Sequence, residues 1–402
     1  MAGGKSGVKH GRLAAVILAR RAELGKSQRD VVDELRAVRP TFDRSEWRKW
    51  EKGENAPGRF WLPHIATVLE LDISVLRAAK AVPSPRPPDR IEVAAAPIEE
   101  DPLLDRRDLL LGTAGLSLEA AMFRPTGKTE APATLRTQLV KAQDDFRAGR
   151  HATLGRRLPG LVDRAVAGDD HRLTADVWAL ATEHLIKAGD DDLALLAADR
   201  AAVAAAESGD RLAVAEAAYC RCMTLRHSGR SRTAYGAAVD AAARLADEGL
   251  RTPDDLATYG HLFLTSGYSA AAAGDAARAE DYMREAEAVA ARLGTDVTHG
   301  MWFFGPAQAG LYRLSMENAL GNVGGGVAAA RALDPARLPT PERRARYWID
   351  TARVFGQWTG HRADVATAVR HAYTEAPGEV VSRPAVLRLA QDAGLKLVTT
   401  RS

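Results

Sequence analysis

The chain is poor in several things, and each shortage narrows what it encodes. It has two cysteines in 402 residues. Cys220 and Cys222 stand two apart in a helical pattern, so their side chains diverge by about 200° and are not placed to pair with each other. So few thiols match a reducing compartment, where cysteines serve mainly as small core residues. No apolar run approaches the roughly 18 residues of a membrane-spanning helix, so no membrane partner is expected. The His-Glu-x-x-His zinc motif and the Walker loop are both missing, and the ten histidines are scattered without ligand spacing. No catalytic residues, metal or cofactor are therefore expected, and the chain does not read as an enzyme. The run Gly321-Asn322-Val323-Gly324-Gly325-Gly326 follows a helical pattern rather than a strand. It reads as a loose turn between helices, not as a phosphate loop.

Charge is present but uneven. The formal net charge is +3. Residues 1–60 hold 14 Lys/Arg against 8 Asp/Glu, while the rest hold 41 against 44. The positive excess surrounds the most informative stretch, Asp43-Arg44-Ser45-Glu46-Trp47-Arg48-Lys49-Trp50-Glu51-Lys52-Gly53. Asp43 followed three residues later by Glu46 fits a capping box. On a helix, Arg44, Ser45, Arg48, Lys49 and Lys52 share one arc of about 140°, with Trp47 and Trp50 opposite. An indole side to bury and a cationic side to present suit a helix lying in a DNA major groove. The same pattern also fits an amphipathic surface helix with a solvated face.

The flanking residues favour the first reading. Leu13, Val16, Ile17 and Leu24 make one helix. Ser27 and Asp30 cap a second, which carries Val31, Val32 and Leu35. After Gly53 the apolar pattern resumes at Trp61 and continues to Leu76, for five short helices in all. Three segments in order, Ser27-Gln28-x-x-Val31, Trp47-x-x-Trp50-Glu51-x-Gly53 and Arg59-Phe60-x-Leu62-Pro63, resemble the lambda-repressor-like (Cro, or xenobiotic-response-element) helix-turn-helix family over residues 11–80. The resemblance implies that Arg44, Ser45 and Lys49 read bases, with Arg48 on the same face. It implies that Gln28 binds phosphate and that Arg59 approaches the backbone or minor groove. Arg or Lys against guanine is the commonest specific contact. One departure is the long turn from Arg36 to Phe42, with Pro40 where a glycine is common. The extra residues either loop out or extend the second helix.

Residues 1–10 read as a flexible basic tail. Residues 81–105 read as a linker stiffened by Pro83, Pro85, Pro87, Pro88, Pro97 and Pro102. Arg106-Arg107 before an apolar run imitates a twin-arginine export signal, but it follows the helix-turn-helix segment. Residues 106–133 are better read as a connecting helix region. Cytoplasmic, nucleoid-associated location is the expectation.

Beyond residue 134 the chain repeats. Glycine turns at Gly149, Gly189, Gly229, Gly274, Gly321 and Gly360 are spaced by 40, 40, 45, 47 and 39 residues, with helical patterns on both sides. Periods in this range mean stacked helix pairs. Residues 134–376 resemble the tetratricopeptide-repeat superfamily with a longer period, and 377–402 reads as a capping helix. The expected fold is all-α, a five-helix DNA-binding domain followed by a tetratricopeptide-like helical-repeat array. This layout resembles the helix-turn-helix plus tetratricopeptide regulators of actinomycetes and, more distantly, the peptide-pheromone receptors of quorum sensing. The stretch Phe304-Gly305-Pro306-x-x-x-x-Leu311-Tyr312-Arg313 favours the actinomycete group.

A stacked array leaves a concave wall, and the chain's aromatics gather at one place along it. Tyr268, His299, Trp302, Phe304, Gln308, Tyr312 and Asn318 are the candidate contacts for a peptide or small-molecule ligand. Aromatics at helical spacing equally serve as core. The functional expectation is a transcriptional regulator that binds double-stranded DNA, at a palindromic operator, as a homodimer. Its repeats would sense a signal or mediate dimerisation. The alternative is a constitutive DNA-bound scaffold whose repeats recruit a protein, which a long groove without an enclosed cavity would favour.

Overall fold

The computed structural model describes residues 12–38, 42–53, 57, 61–81, 114–123 and 130–395. The basic tail, the proline-rich linker, the arginine pair at 106–107, Pro40 and Arg59 lie outside them. The described chain is all-α apart from one small hairpin.

Five helices form the N-terminal unit: α1 (Arg12–Glu23), α2 (Gln28–Val38), α3 (Arg44–Lys52), α4 (Trp61–Val68) and α5 (Ile73–Ala81). Ser27 and Asp30 cap α2 reciprocally. The Ser27 N–H donates to the Asp30 carboxylate at 2.7 Å, and the Asp30 N–H donates to the Ser27 hydroxyl at 3.2 Å. The helix runs to Val38, so part of the long turn is extra helix. Asp43 caps α3 by accepting from the Ser45 N–H at 3.0 Å, and Gly53 closes it at φ 71°. Trp47 and Trp50 are buried beneath α3. Phe42 lies 4.5 Å from Trp61, and Trp50 lies 5.7 Å from Trp61, ring centre to ring centre. A rigid aromatic base therefore fixes the direction in which the outer face of α3 points.

A connecting helix, α6 (Ala114–Phe123), buries Leu118 and Met122. Six helix hairpins follow. They are α7–α8 (Pro132–Arg147, His151–Val166), α9–α10 (His171–Ala188, Asp191–Ser208) and α11–α12 (Arg211–His227, Ser231–Asp247). Next come α13–α14 (Pro253–Ala272, Ala276–Leu293), α15–α16 (Pro306–Leu320, Val323–Ala332) and α17–α18 (Pro341–Gly356, Arg362–Glu375). Each hairpin packs on the next. All six turn glycines named from spacing sit at positive φ, from 70° at Gly149 to 96° at Gly360. Only glycine adopts that region without strain, so the period in the sequence is the period of the turns.

Three local findings differ from the sequence reading. Gly324, Gly325 and Gly326 do not form a loose turn but the first turns of α16. A Cβ at Gly326 would come within 2.7 Å of Val354, so the glycine lets α16 approach α17. The C-terminal cap is two short helices, α19 (Pro377–Val381) and α20 (Pro384–Asp392). Between α14 and α15 the chain forms an antiparallel hairpin, β1 (Val297–His299) and β2 (Trp302–Phe304), in register Val297 to Phe304 and His299 to Trp302. Its two-residue turn places Gly300 first, at φ 53°, the arrangement of a type II′ turn.

The end of the array returns to its start. The buried Glu379 of α19 pairs with His151 at 2.7 Å and with Lys187 at 2.7 Å. A Cβ on Gly378 would collide with the backbone of Gly149. The last helices therefore close on the first two hairpins. Among the described residues, no helix is long and apolar enough to cross a membrane.

Candidate functional site

The outer face of α3 carries Arg44, Ser45, Arg48 and Lys52, all exposed. Their basicity is local, because Glu51, the acid on the inner side, is buried, neutralised by Arg21 and hydrogen-bonded by Gln28. Gln28, expected at phosphate, thus donates its amide to Glu51 and steadies the join of α2 and α3. Ser45 also donates its hydroxyl to Asp43 at 2.6 Å. These bonds from Ser45 hold the Asp43 carboxyl below its usual range, so it stays an effective cap.

Lys49 is different. It is half-buried, and its ammonium lies 4.7 Å from the centre of the Trp358 ring. The next residue, Thr359, donates its hydroxyl to the carbonyl of Gly53 at 3.1 Å. The C-terminal end of α3 is therefore held by the turn between α17 and α18. Trp358 carried no functional reading in the sequence, and nothing in its local pattern marks it. Only the folding of the array against the N-terminal unit brings it to Lys49.

The aromatic candidates come together, but mainly as core. Trp302, Phe304, Gln308 and Tyr312 are all buried. Trp302 sits edge-on to Tyr219 at 5.5 Å, and Tyr219 and Tyr312 share their hydroxyls at 3.3 Å. Neither amide atom of Gln308 has a partner among the described residues. Asn318 is occupied at its carbonyl by the Gln357 amide at 2.7 Å. The side chain of His299 lies outside those described. Trp302 and Phe304 line a small crevice, and Tyr268 lines a larger cavity.

That cavity, of about 280 Å³, lies between α9, α11, α13, α17 and the segment entering α20. Six cations line it: Lys187, Arg226, Arg343, Arg346, Arg353 and Arg383. The sequence did carry a signal. Arg343, Arg346 and Arg353 fall within about 80° of one another on a helical wheel, with Asp350 in the same sector. A charged stripe of that kind ordinarily reads as solvated surface. Arg343 and Asp350 are in fact buried.

No family model, curated protein or solved structure matches the chain.

Proposed function

We propose that the chain is a sequence-specific DNA-binding transcriptional regulator whose helical repeats sense a signal. The observation that carries the reading is α3. It is a capped helix, anchored on its indoles, that exposes Arg44, Ser45, Arg48 and Lys52 on one side. Arg44 and Lys49 take the base-reading roles, and Arg48 the adjacent groove wall. A homodimer reading a palindrome would space two such helices by about one turn of DNA, ~34–36 Å, or a multiple.

The second part of the proposal concerns control. Helix α17 lines the cavity with three arginines and ends beside Trp358, which holds Lys49. A signal that shifts α17 would free or trap the lysine, provided the signal binds the two states with different affinity. The partly closed cavity, lined by six cations, supports this reading over a constitutive scaffold, for which an open groove is the better design.

The test is selection of sites from a random duplex library with the purified chain, followed by affinities at fixed salt. Arg44→Ala and Lys49→Ala should each weaken the selected site by about 1–3 kcal/mol, or change the preferred base. If no sequence is enriched, or both variants bind as the parent does, the reading fails.

A further inference from the structure

The cavity of the array holds more positive charge than its own carboxylates neutralise. Lys187 is saturated by Glu342 at 2.6 Å and Glu379 at 2.7 Å. Arg383 is held by Glu379, and Arg353 by Asp350 at 3.0 Å. The other three cations are less well matched. Arg343 has one ion-pair partner among the described residues, Glu342, at 3.1 Å through its Nε, and its charge also acts on the buried Glu183. Arg346 pairs with Asp350 only at 3.6 Å, too far for a hydrogen bond; it donates from Nη2 to the Ser315 hydroxyl at 3.3 Å, and its buried Nε makes no hydrogen bond among the described residues. Arg226 donates only to the hydroxyls of Thr265 and Ser269, both at 3.0 Å, and no carboxylate among the described residues lies within 4.0 Å. Arg226 and Arg346 also share the ring of Tyr268, at 4.6 and 5.6 Å from its centre.

Counting Glu183 with Glu342, Glu379 and Asp350, four carboxylates face six cations. Guanidinium groups kept together in a partly closed space repel one another, and water screens them poorly there. An anion bridging them removes that repulsion. Planar guanidinium forks match the paired oxygens of carboxylates and phosphates. Burial lowers the imidazole of His227 to about 3, and the cations Arg226, Arg383, Arg346 and Lys187 add to the shift. The volume of about 280 Å³ is near the lower limit of small-molecule sites.

We propose that this cavity is a binding site for a small organic polyanion with two or more carboxylate or phosphate groups, held by Arg226, Arg343 and Arg346. The inference rests on the sensor reading above, since it names the chemistry of the signal. It is tested on the full chain by calorimetric titration at constant ionic strength, with pyrophosphate and citrate as probes. Saturable one-to-one binding of either supports the site, and the tighter of the two assigns phosphate or carboxylate. Arg226→Gln and Arg346→Gln should each weaken binding at least tenfold. Arg284→Gln, on an exposed part of α14, should leave it unchanged. No saturable binding of either probe overturns the proposal, and so does equal affinity in all three variants. Binding of a glutamate-rich hexapeptide but of neither small anion also overturns it, in favour of peptide recognition. Anion binding by a chain that selects no DNA site keeps the cavity assignment and removes the regulator reading. Anion binding that leaves the affinity for a selected site unchanged keeps the cavity and removes the control mechanism.

Discussion

Gly260 lacks a side chain, and the ring of Phe304 occupies the space beside it: any Cβ there would overlap the ring. Phe304 is thus the bolt that holds the β-hairpin against α13. Phe304→Ala should lower stability by about 3–5 kcal/mol, because it opens a cavity in a packed core. Gly260→Val should destabilise as well, by displacing the ring. Urea unfolding of each variant checks both, and a parental midpoint for either would contradict the bolt. The buried carboxylates make a second residue-scale prediction. Burial raises Glu379, Glu342 and Asp350, but their partners outweigh it: Lys187, Arg383 and the hydrogen bond to His151 for the first, Arg343 and Lys187 for the second, Arg346 and Arg353 for the third. Their folded values lie below the ordinary 4.5, 4.5 and 3.8. The stabilisation is therefore complete above those values and is lost as pH falls through the folded ones. Glu183, raised by burial against the pull of Arg343 and Lys187, acts in the opposite sense but is one group against three. The melting temperature should stay level near neutrality and drop below about pH 5. Glu379→Gln should flatten that acid limb, and an unchanged limb would show that the closure is not its source.

At the scale of elements, α3 and the α17–α18 turn form one working unit. A cation over an indole contributes about 0.5–2 kcal/mol, depending on how far it is desolvated. Trp358→Ala should release Lys49 and tighten DNA binding by a factor of about 2–30, the same free energy expressed as affinity. Weaker binding would instead show that the turn supports α3 in the reading state. These elements differ in how far they could be foreseen. The cap at Asp43, the stop at Gly53 and the buried indoles of α3 follow from local chemistry within eleven residues, and they stand in the structure. The six turn glycines were legible for the same reason, since positive φ is a local demand. The hairpin at 297–304 was hidden because its Trp-Phe-Phe run fits a helix face, a strand or a ligand wall equally well. What selects a strand is the concave space that Trp302 and Phe304 fill.

Across the whole molecule, Glu379 joins the last helices to the first hairpin and to Lys187 of the second. Removing it leaves Lys187 with a single carboxylate and Arg383 with none that it now holds. Glu379→Ala should destabilise the chain by about 3–5 kcal/mol, the usual result of breaking a buried pair from one side. Thermal unfolding followed by circular dichroism measures it, and a shift within error would mean that the array is stable without its closure. The closing segment also lines the cationic cavity, through Ser382, Arg383 and Pro384.

The sequence by itself determined the helical class, the capped ends of α2 and α3 and the period of the hairpins, because caps, turn glycines and apolar spacing act over a few residues. It also marked the cationic face of α3. Only the tertiary structure decided which aromatics are core, which arginines meet around one cavity, and that Trp358 lies over Lys49. Those facts depend on contacts between residues up to some three hundred positions apart, as from Gly53 to Thr359. Such contacts arise from the stacking of every intervening hairpin, and no local pattern records that stacking.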